Sequence, residues 1–225
     1  MVQAIITSVC LLSLFYFVNS ATVNSSTYAL NVLYNSTNGA RWYYSLPGQP
    51  WTFDGSPDPC GDSWSGVICE NCNTSSATPC NVTGLTLDFF GLLGPLPVEL
   101  CNATELSVLS VSYNTLLQDI PACIFDLPLT YLNMLFNSLS GEIPQLGLDS
   151  KLVYLDISQN QFKSPIPSSL GNLADSLTYL ALNSNSFYGS IPAEIGCLTL
   201  LTSLNFGSNR LNGTMPATLF RMPEL

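Results

Sequence analysis

A chain of 225 residues that is 47% hydrophobic and only 9% charged folds around a core, which excludes a disordered tail. With 15 acidic against 5 basic residues the net charge is −10, and Arg41, Lys151, Lys163, Arg210 and Arg221 are too scattered to displace counterions from a phosphate backbone; no nucleic acid is expected as a partner, and basic or uncharged ligands fit better. Histidine is absent, which removes the side chain most used for proton transfer near neutral pH and for holding transition metals.

The first twenty residues carry an apolar run from Ala4 to Val18, with Val18 and Ser20 at the spacing of a small-residue cleavage site. This predicts a signal peptide over residues 1–20, cut near Ser20. The alternative, a membrane anchor, is disfavoured because the run falls short of the roughly 20 apolar residues needed to cross the hydrocarbon. Next comes a short helical pattern, Ala29, Leu30, Leu33 and Tyr34, with Ser25, Ser26 and Thr27 ahead of it as capping candidates. Trp42, Trp51 and the segment DPCGDSWSGVIC follow, in which Cys60 and Cys69 flank Trp64. Without Cys10 of the leader, Cys60, Cys69, Cys72, Cys80, Cys101, Cys123 and Cys197 remain, which in a secreted chain read as disulfides with one thiol left over. Zinc is the alternative for the CxxC of Cys69 and Cys72, with Cys60 and Cys80 as a second pair. Asn-x-Ser/Thr sequons at Asn24, Asn35, Asn73, Asn81, Asn102 and Asn212 point to an oxidising secretory route and favour disulfides, so no metal and no cofactor are expected.

From Val82 the chain repeats. A unit L-x-x-L-x-L-x-x-N-x-L-x-G-x-I-P begins at Val82, Leu106, Leu129, Leu152, Leu177 and Leu201, at intervals of 23 to 25 residues. Leu132, Leu155, Leu180 and Leu204 fill its fourth position, and Met134, Ile157, Leu182 and Phe206 its sixth. That alternation predicts one short strand per repeat, leucines inward, stacked in parallel on the next. Asn114, Asn137, Asn160, Asn185 and Asn209 at the ninth position stand where the chain leaves the strand, where their amides can satisfy buried backbone groups. Gly94, Gly141, Gly189 and Gly213 allow a tight return, and a Pro closes each unit. Phe90 departs from the ninth-position Asn, and Gln118 and Ser164 depart from the Gly, which predicts looser or reshaped turns there.

These residues resemble the plant-type subfamily of extracellular leucine-rich repeats over residues 82–225. The resemblance implies an α/β repeat solenoid, a right-handed superhelix with a parallel concave β-sheet. It also implies an N-terminal cap over residues 21–81, for which the segment around Trp64 is the signature. On that basis Cys60 pairs with Cys69 and Cys72 with Cys80; Cys101 and Cys123, on the outer flank of adjacent repeats, offer a third bridge. Leu225 stands where a seventh repeat would begin, so six repeats are expected, ending in an uncovered edge prone to self-association.

Catalysis would need an acid and a base converging in a pocket. Asp88 and Asp156 are expected to point outward from strands three repeats apart, roughly 14 Å, which is too far for a glycosidase pair. Asp119 with Glu142 and Asp126 with Asp149 recur in neighbouring repeats, on surface with no enclosed pocket, and read as solvated. The chain is therefore expected to bind and not to catalyse. Positions two, three, five, seven and eight of each repeat are expected to face solvent on the concave side. There Tyr131, Tyr154 and Tyr179 form one column and Tyr113 and Phe136 lie in another, with Asn133 and Asp156 between them. These seven are the candidate site for a protein, peptide or glycan ligand, since aromatic rings give contact area at low entropic cost and the polar row fixes direction; the alternative is that the exposed tyrosines only stabilise the sheet by cross-strand stacking. The resemblance implies an extracellular receptor-like recognition module, attached to a membrane only through a segment beyond Leu225. A secreted inhibitor of a microbial cell-wall hydrolase and the N-terminal part of a receptor kinase are the alternatives.

Overall fold

The computed structural model describes residues 25–44, 46–72 and 80–224, so the leader, Ser45, residues 73–79 and Leu225 lie outside the described residues. The chain opens with an α-helix, Ser25–Ser36, that buries Ala29, Leu30 and Leu33. Its end is fixed when Thr37 donates both its N–H and its hydroxyl to the Leu33 carbonyl, at 3.0 and 2.6 Å, and Asn38 turns left-handed with φ 60°. Behind the helix an aromatic cluster fills the cap. Trp42 meets Trp51 edge-on at 4.9 Å, Trp51 stacks on Trp64 at 5.4 Å, and Phe53 meets Trp64 at 4.8 Å. The Trp42 and Trp51 indole N–H groups donate to the Thr37 and Ser65 carbonyls, at 3.0 and 2.8 Å.

The cap joins the repeats through strand pairing. Val67–Glu70 runs antiparallel to Asn81–Thr86, and from there the inner sheet continues in parallel through Val108–Ser110, Tyr131–Asn133, Tyr154–Asp156, Tyr179–Ala181 and Ser203–Asn205. Leucines at the fourth position point away from that face into one continuous core, where Leu85, Leu109, Leu132, Leu155 and Leu180 are fully buried. Phe90, the departure from the ninth-position Asn, is buried too and meets Trp42 and Tyr44 at 5.9 and 5.8 Å. Its turn is capped by aromatic packing where the later repeats use an amide.

From the second repeat on, each ninth-position Asn bridges to the repeat before it. Asn160 accepts the Leu139 N–H at 3.0 Å and donates to the carbonyls of Met134, Ile157 and Ser158, at 2.9, 3.2 and 3.1 Å. Asn114, Asn137, Asn185 and Asn209 make the same set of bonds one repeat apart. Full satisfaction is what makes a buried amide favourable in such a place.

A second, outer sheet forms where only turns were expected. Leu93–Pro95, Thr115–Gln118 and Ser138–Leu139 pair in parallel, as do Tyr188–Gly189 and Arg210–Leu211. The Leu93 N–H donates to the Thr37 carbonyl at 3.1 Å, tying this sheet to the cap helix. Gly94 beside it is obligatory, with φ 130° and a virtual Cβ running into the Ser36 carbonyl oxygen. The two expected departures resolve differently. Gln118 keeps the glycine conformation, φ 66°, so its turn is not reshaped. At Ser164, which is buried and donates to the Pro165 carbonyl, the turn changes, and the outer sheet is interrupted except for a single bridge between Pro165 and Tyr188.

Proline sets the return. Pro97, Pro121, Pro167 and Pro192 each precede a 3₁₀ segment, at Val98–Asn102, Ala122–Asp126, Ser168–Leu173 and Ala193–Cys197, while Leu219–Arg221 follows Pro216. Disulfides join Cys60 to Cys69 and Cys72 to Cys80 in the cap, and Cys101 to Cys123 across the first two returns; Cys197 is free and exposed. Among the described residues no helix is long and apolar enough to cross a membrane.

Candidate functional site

Parallel, in-register strands bring equal positions of successive repeats one above another. At position three the order is Val108, Tyr131, Tyr154, Tyr179 and Ser203. A strand spacing near 4.8 Å forces planar side chains in one column to stack. Tyr131 and Tyr154 do so at 4.4 Å and 12°, and Tyr154 and Tyr179 at 4.3 Å and 7°. All three are half-buried. Burial holds the Tyr154 hydroxyl well above the ordinary tyrosine range, and the Asp156 carboxylate adds to the effect. Burial also raises Tyr131, where Asp88 and Asp156 push the same way and a hydrogen bond with Asn133 opposes them. Both hydroxyls are therefore kept neutral, each with a proton to donate and lone pairs to accept.

The second aromatic column sits in a turn just past the strands. The inner strands end at position five, and every residue at position eight is left-handed: Phe89, Tyr113, Phe136, Gln159, Ser184 and Ser208 have φ between 52° and 61°. That turn carries Phe89, Tyr113 and Phe136 off the concave floor to its rim, where the chain heads for the outer sheet. The rings stack at 4.3 and 5.4 Å, remain exposed, and wall a groove of about 300 Å³ completed by Gly91, Asn114 and Thr115.

Position five is mixed: Asn205 is exposed, Thr86 and Asn133 are half-buried, and the other three are buried. Asp156, expected to point into solvent, is only 4% exposed, and Ser110 and Ala181 are buried beside it in the same column. Asp156 is drawn inward because the Ser158 N–H and hydroxyl donate to it at 2.9 and 2.6 Å, with the Tyr154 hydroxyl at 3.4 Å. Asp88 is likewise engaged, accepting from the Ser110 hydroxyl at 2.7 Å and from the Ser112 N–H and hydroxyl at 2.7 and 2.6 Å. Asn133 stays half-buried, its amide oxygen taking the Leu135 N–H at 3.1 Å. Position two has a further role, with Thr130, Val153 and Thr202 exposed. Ser107, Thr130, Thr178 and Thr202 donate their hydroxyls to the carbonyl one repeat back, at 3.0 to 3.2 Å, so this column ties repeats together. The recurrence of Ser or Thr at that position was the available signal.

Asp119, Glu142, Asp126 and Asp149 are all exposed, and among the described residues no group of three or more His, Cys, Asp or Glu is placed to hold a metal ion. Of the sequons, Asn35, Asn102 and Asn212 are exposed and Asn81 is half-buried, while Asn24 and Asn73 lie outside the described residues.

The leucine-rich-repeat family pattern matches residues 151–173 and 176–198. The plant peptide hormone receptor RGFR1, solved in complex with RGF2, is similar at 32% identity and a TM-score of 0.62 over 64% of this chain and 23% of that one. The ectodomain of the receptor kinase SOBIR1 from Arabidopsis thaliana matches at 27% identity and a TM-score of 0.67, covering 84% and 96% of the two chains. The Arabidopsis receptor kinase HAESA, solved with the peptide hormone IDA and the co-receptor SERK1, matches at 31% identity and a TM-score of 0.57, over 76% of this chain and 32% of that one. The chain thus spans less than a third of the RGFR1 chain, about a third of the HAESA chain and nearly all of the SOBIR1 ectodomain. The stacked strands, the asparagine ladder and the stapled cap give the chain a leucine-rich-repeat solenoid fold, similar to that of these plant receptor ectodomains.

Proposed function

We propose that the chain is a receptor-like recognition module outside the cell, a binding surface and not a catalyst, which takes a peptide or protein partner on its concave face. The observation that carries this reading is the stacked column of Tyr131, Tyr154 and Tyr179 on an open face whose only ionised groups, Asp88 and Asp156, are occupied by serine hydrogen bonds. Rings held rigid by their neighbours lose little entropy on contact, and their hydroxyls supply direction. RGFR1 was solved in complex with RGF2 and HAESA with the peptide hormone IDA, which favours a peptide over a glycan. In the same reading residues 1–20 are a signal peptide, 21–81 the cap and 82–225 the repeats, and the exposed Asn35, Asn102 and Asn212 carry glycans clear of the concave columns.

A phage-displayed random peptide library panned on the intact secreted chain tests this. Peptides so selected should bind at least tenfold more weakly, about 1.4 kcal/mol, to the variant carrying Tyr131→Thr, Tyr154→Thr and Tyr179→Thr, once circular dichroism shows its sheet intact. Equal binding to both proteins would refute the reading.

A further inference from the structure

Over positions two, three, five, seven and eight of the six repeats there is no Lys or Arg at all, and Asp88 and Asp156 are the sole charged side chains. The basic residues sit elsewhere: Arg41 in the cap, Lys151 ahead of the fourth strand, Lys163 and Arg210 on the side of the outer sheet, and Arg221 in the last return. Asp156 is buried and Asp88 half-buried, and the hydrogen-bond partners described above are hydroxyls and backbone N–H groups, none of them positive. A charge taken from water without an opposite partner is costly, and its field persists in the low-dielectric surroundings.

That field converges on the tyrosines. Both carboxylates add to the burial that raises Tyr131, whose ring stacks on that of Tyr154. The Tyr154 hydroxyl donates to Asp156 at 3.4 Å, and a hydroxyl oxygen retains the capacity to accept from a further donor. A hydroxyl that donates to a carboxylate is a stronger acceptor for the next donor. Beyond the stack, Tyr179 is in register with Ser203, so no further ring covers its far face.

We propose that the concave face recognises a cationic side chain of a peptide, an arginine guanidinium or lysine ammonium, on the hydroxyl oxygens of Tyr131 and Tyr154, with Asp156 and Asp88 behind them supplying the charge. This rests on the concave-face reading above and names its ligand class. Asp156 is a positioning residue: it acts through Tyr154 and has no surface of its own to offer.

The peptides selected on the intact chain provide the test, each resynthesised with citrulline in place of Arg and norleucine in place of Lys. Selected sequences should be enriched in Arg and Lys, and the neutral replacements should lose tenfold or more in affinity. Asp156→Asn should bring the affinity for the Arg peptide down toward that for its citrulline twin, whereas Asp149→Asn, exposed outside the face, should not. Gln159→Lys adds a cation at an exposed position three residues after Asp156; it should weaken the Arg peptide and spare the citrulline one, and it serves if Asp156→Asn fails to fold. Equal binding of charged and neutral peptides overturns the inference, as does an equal loss in Asp149→Asn and Asp156→Asn, which would mean attraction to net charge alone. Tyrosine-dependent peptides without cations would sink this inference and leave the proposed function standing, whereas peptides indifferent to the tyrosines would sink the function itself.

Discussion

In the repeats, each turn of chain makes the same small set of contacts: a buried leucine, an asparagine closing on the backbone of the previous turn, a proline opening the return. In the cap nothing recurs. Trp42, Trp51, Trp64, Phe53 and the Cys60–Cys69 bridge act together, and Phe90 joins the two regions by taking the place of the first ladder amide. A periodic body can distribute its stability over interfaces between neighbours. A cover has a neighbour on one side only, so it concentrates large apolar groups and cross-links in a short segment.

The sharpest break in that comparison is Trp51→Ala. It removes a buried indole packed on two others and orphans the Ser65 carbonyl, so a loss of about 3–5 kcal/mol is expected in urea unfolding followed by fluorescence. Asn160→Ala should cost less, about 1–3 kcal/mol, by leaving the Leu139 N–H buried without its acceptor. If Asn160→Ala costs more than Trp51→Ala, stability is not concentrated in the cap and the comparison fails.

The smallest effect is alkaline. Tyr44 in the cap and Tyr131 and Tyr154 in the repeats are all raised, chiefly by burial. The unfolded chain then releases these protons first, near pH 10, while the folded chain still holds them, so their contribution is intact below about pH 10 and declines as pH rises toward the folded values. Absorbance of tyrosinate during an alkaline titration should show three late-ionising groups, with one lost in Tyr44→Phe and another in Tyr154→Phe. Ionisation of all tyrosines in a single step near pH 10 would contradict the burial of both regions.

How far the sequence discloses this arrangement differs residue by residue. Leu155 and Asn160 could be assigned because their roles repeat, and a role that recurs at fixed spacing is visible as spacing. The stacking of Tyr131, Tyr154 and Tyr179 followed for the same reason, since in-register strands leave equal positions no other arrangement. The outer sheet was not legible: Thr115–Gln118 and Leu93–Pro95 have no alternation of their own and become strands only by lying beside each other. Asp156 was misplaced because strand periodicity gives a side chain's direction but not its length. A short carboxylate near Ser158 folds back under the longer tyrosines. The left-handed turn at Phe89, Tyr113 and Phe136 was not legible, because it leaves no mark when aromatic, amide and hydroxyl residues all adopt it.

That turn leaves a historical trace. Backbone of φ 52° to 61° suits asparagine or glycine better than an aromatic residue, yet three of the six repeats keep a ring there. Replacement of Phe89, Tyr113 or Phe136 by asparagine or glycine would relax the backbone at the cost of the ring stacking. The rim is therefore the part of the molecule that disuse would erase first. A descendant that no longer needed the groove would show asparagine and glycine at these positions while every leucine of the core was still in place.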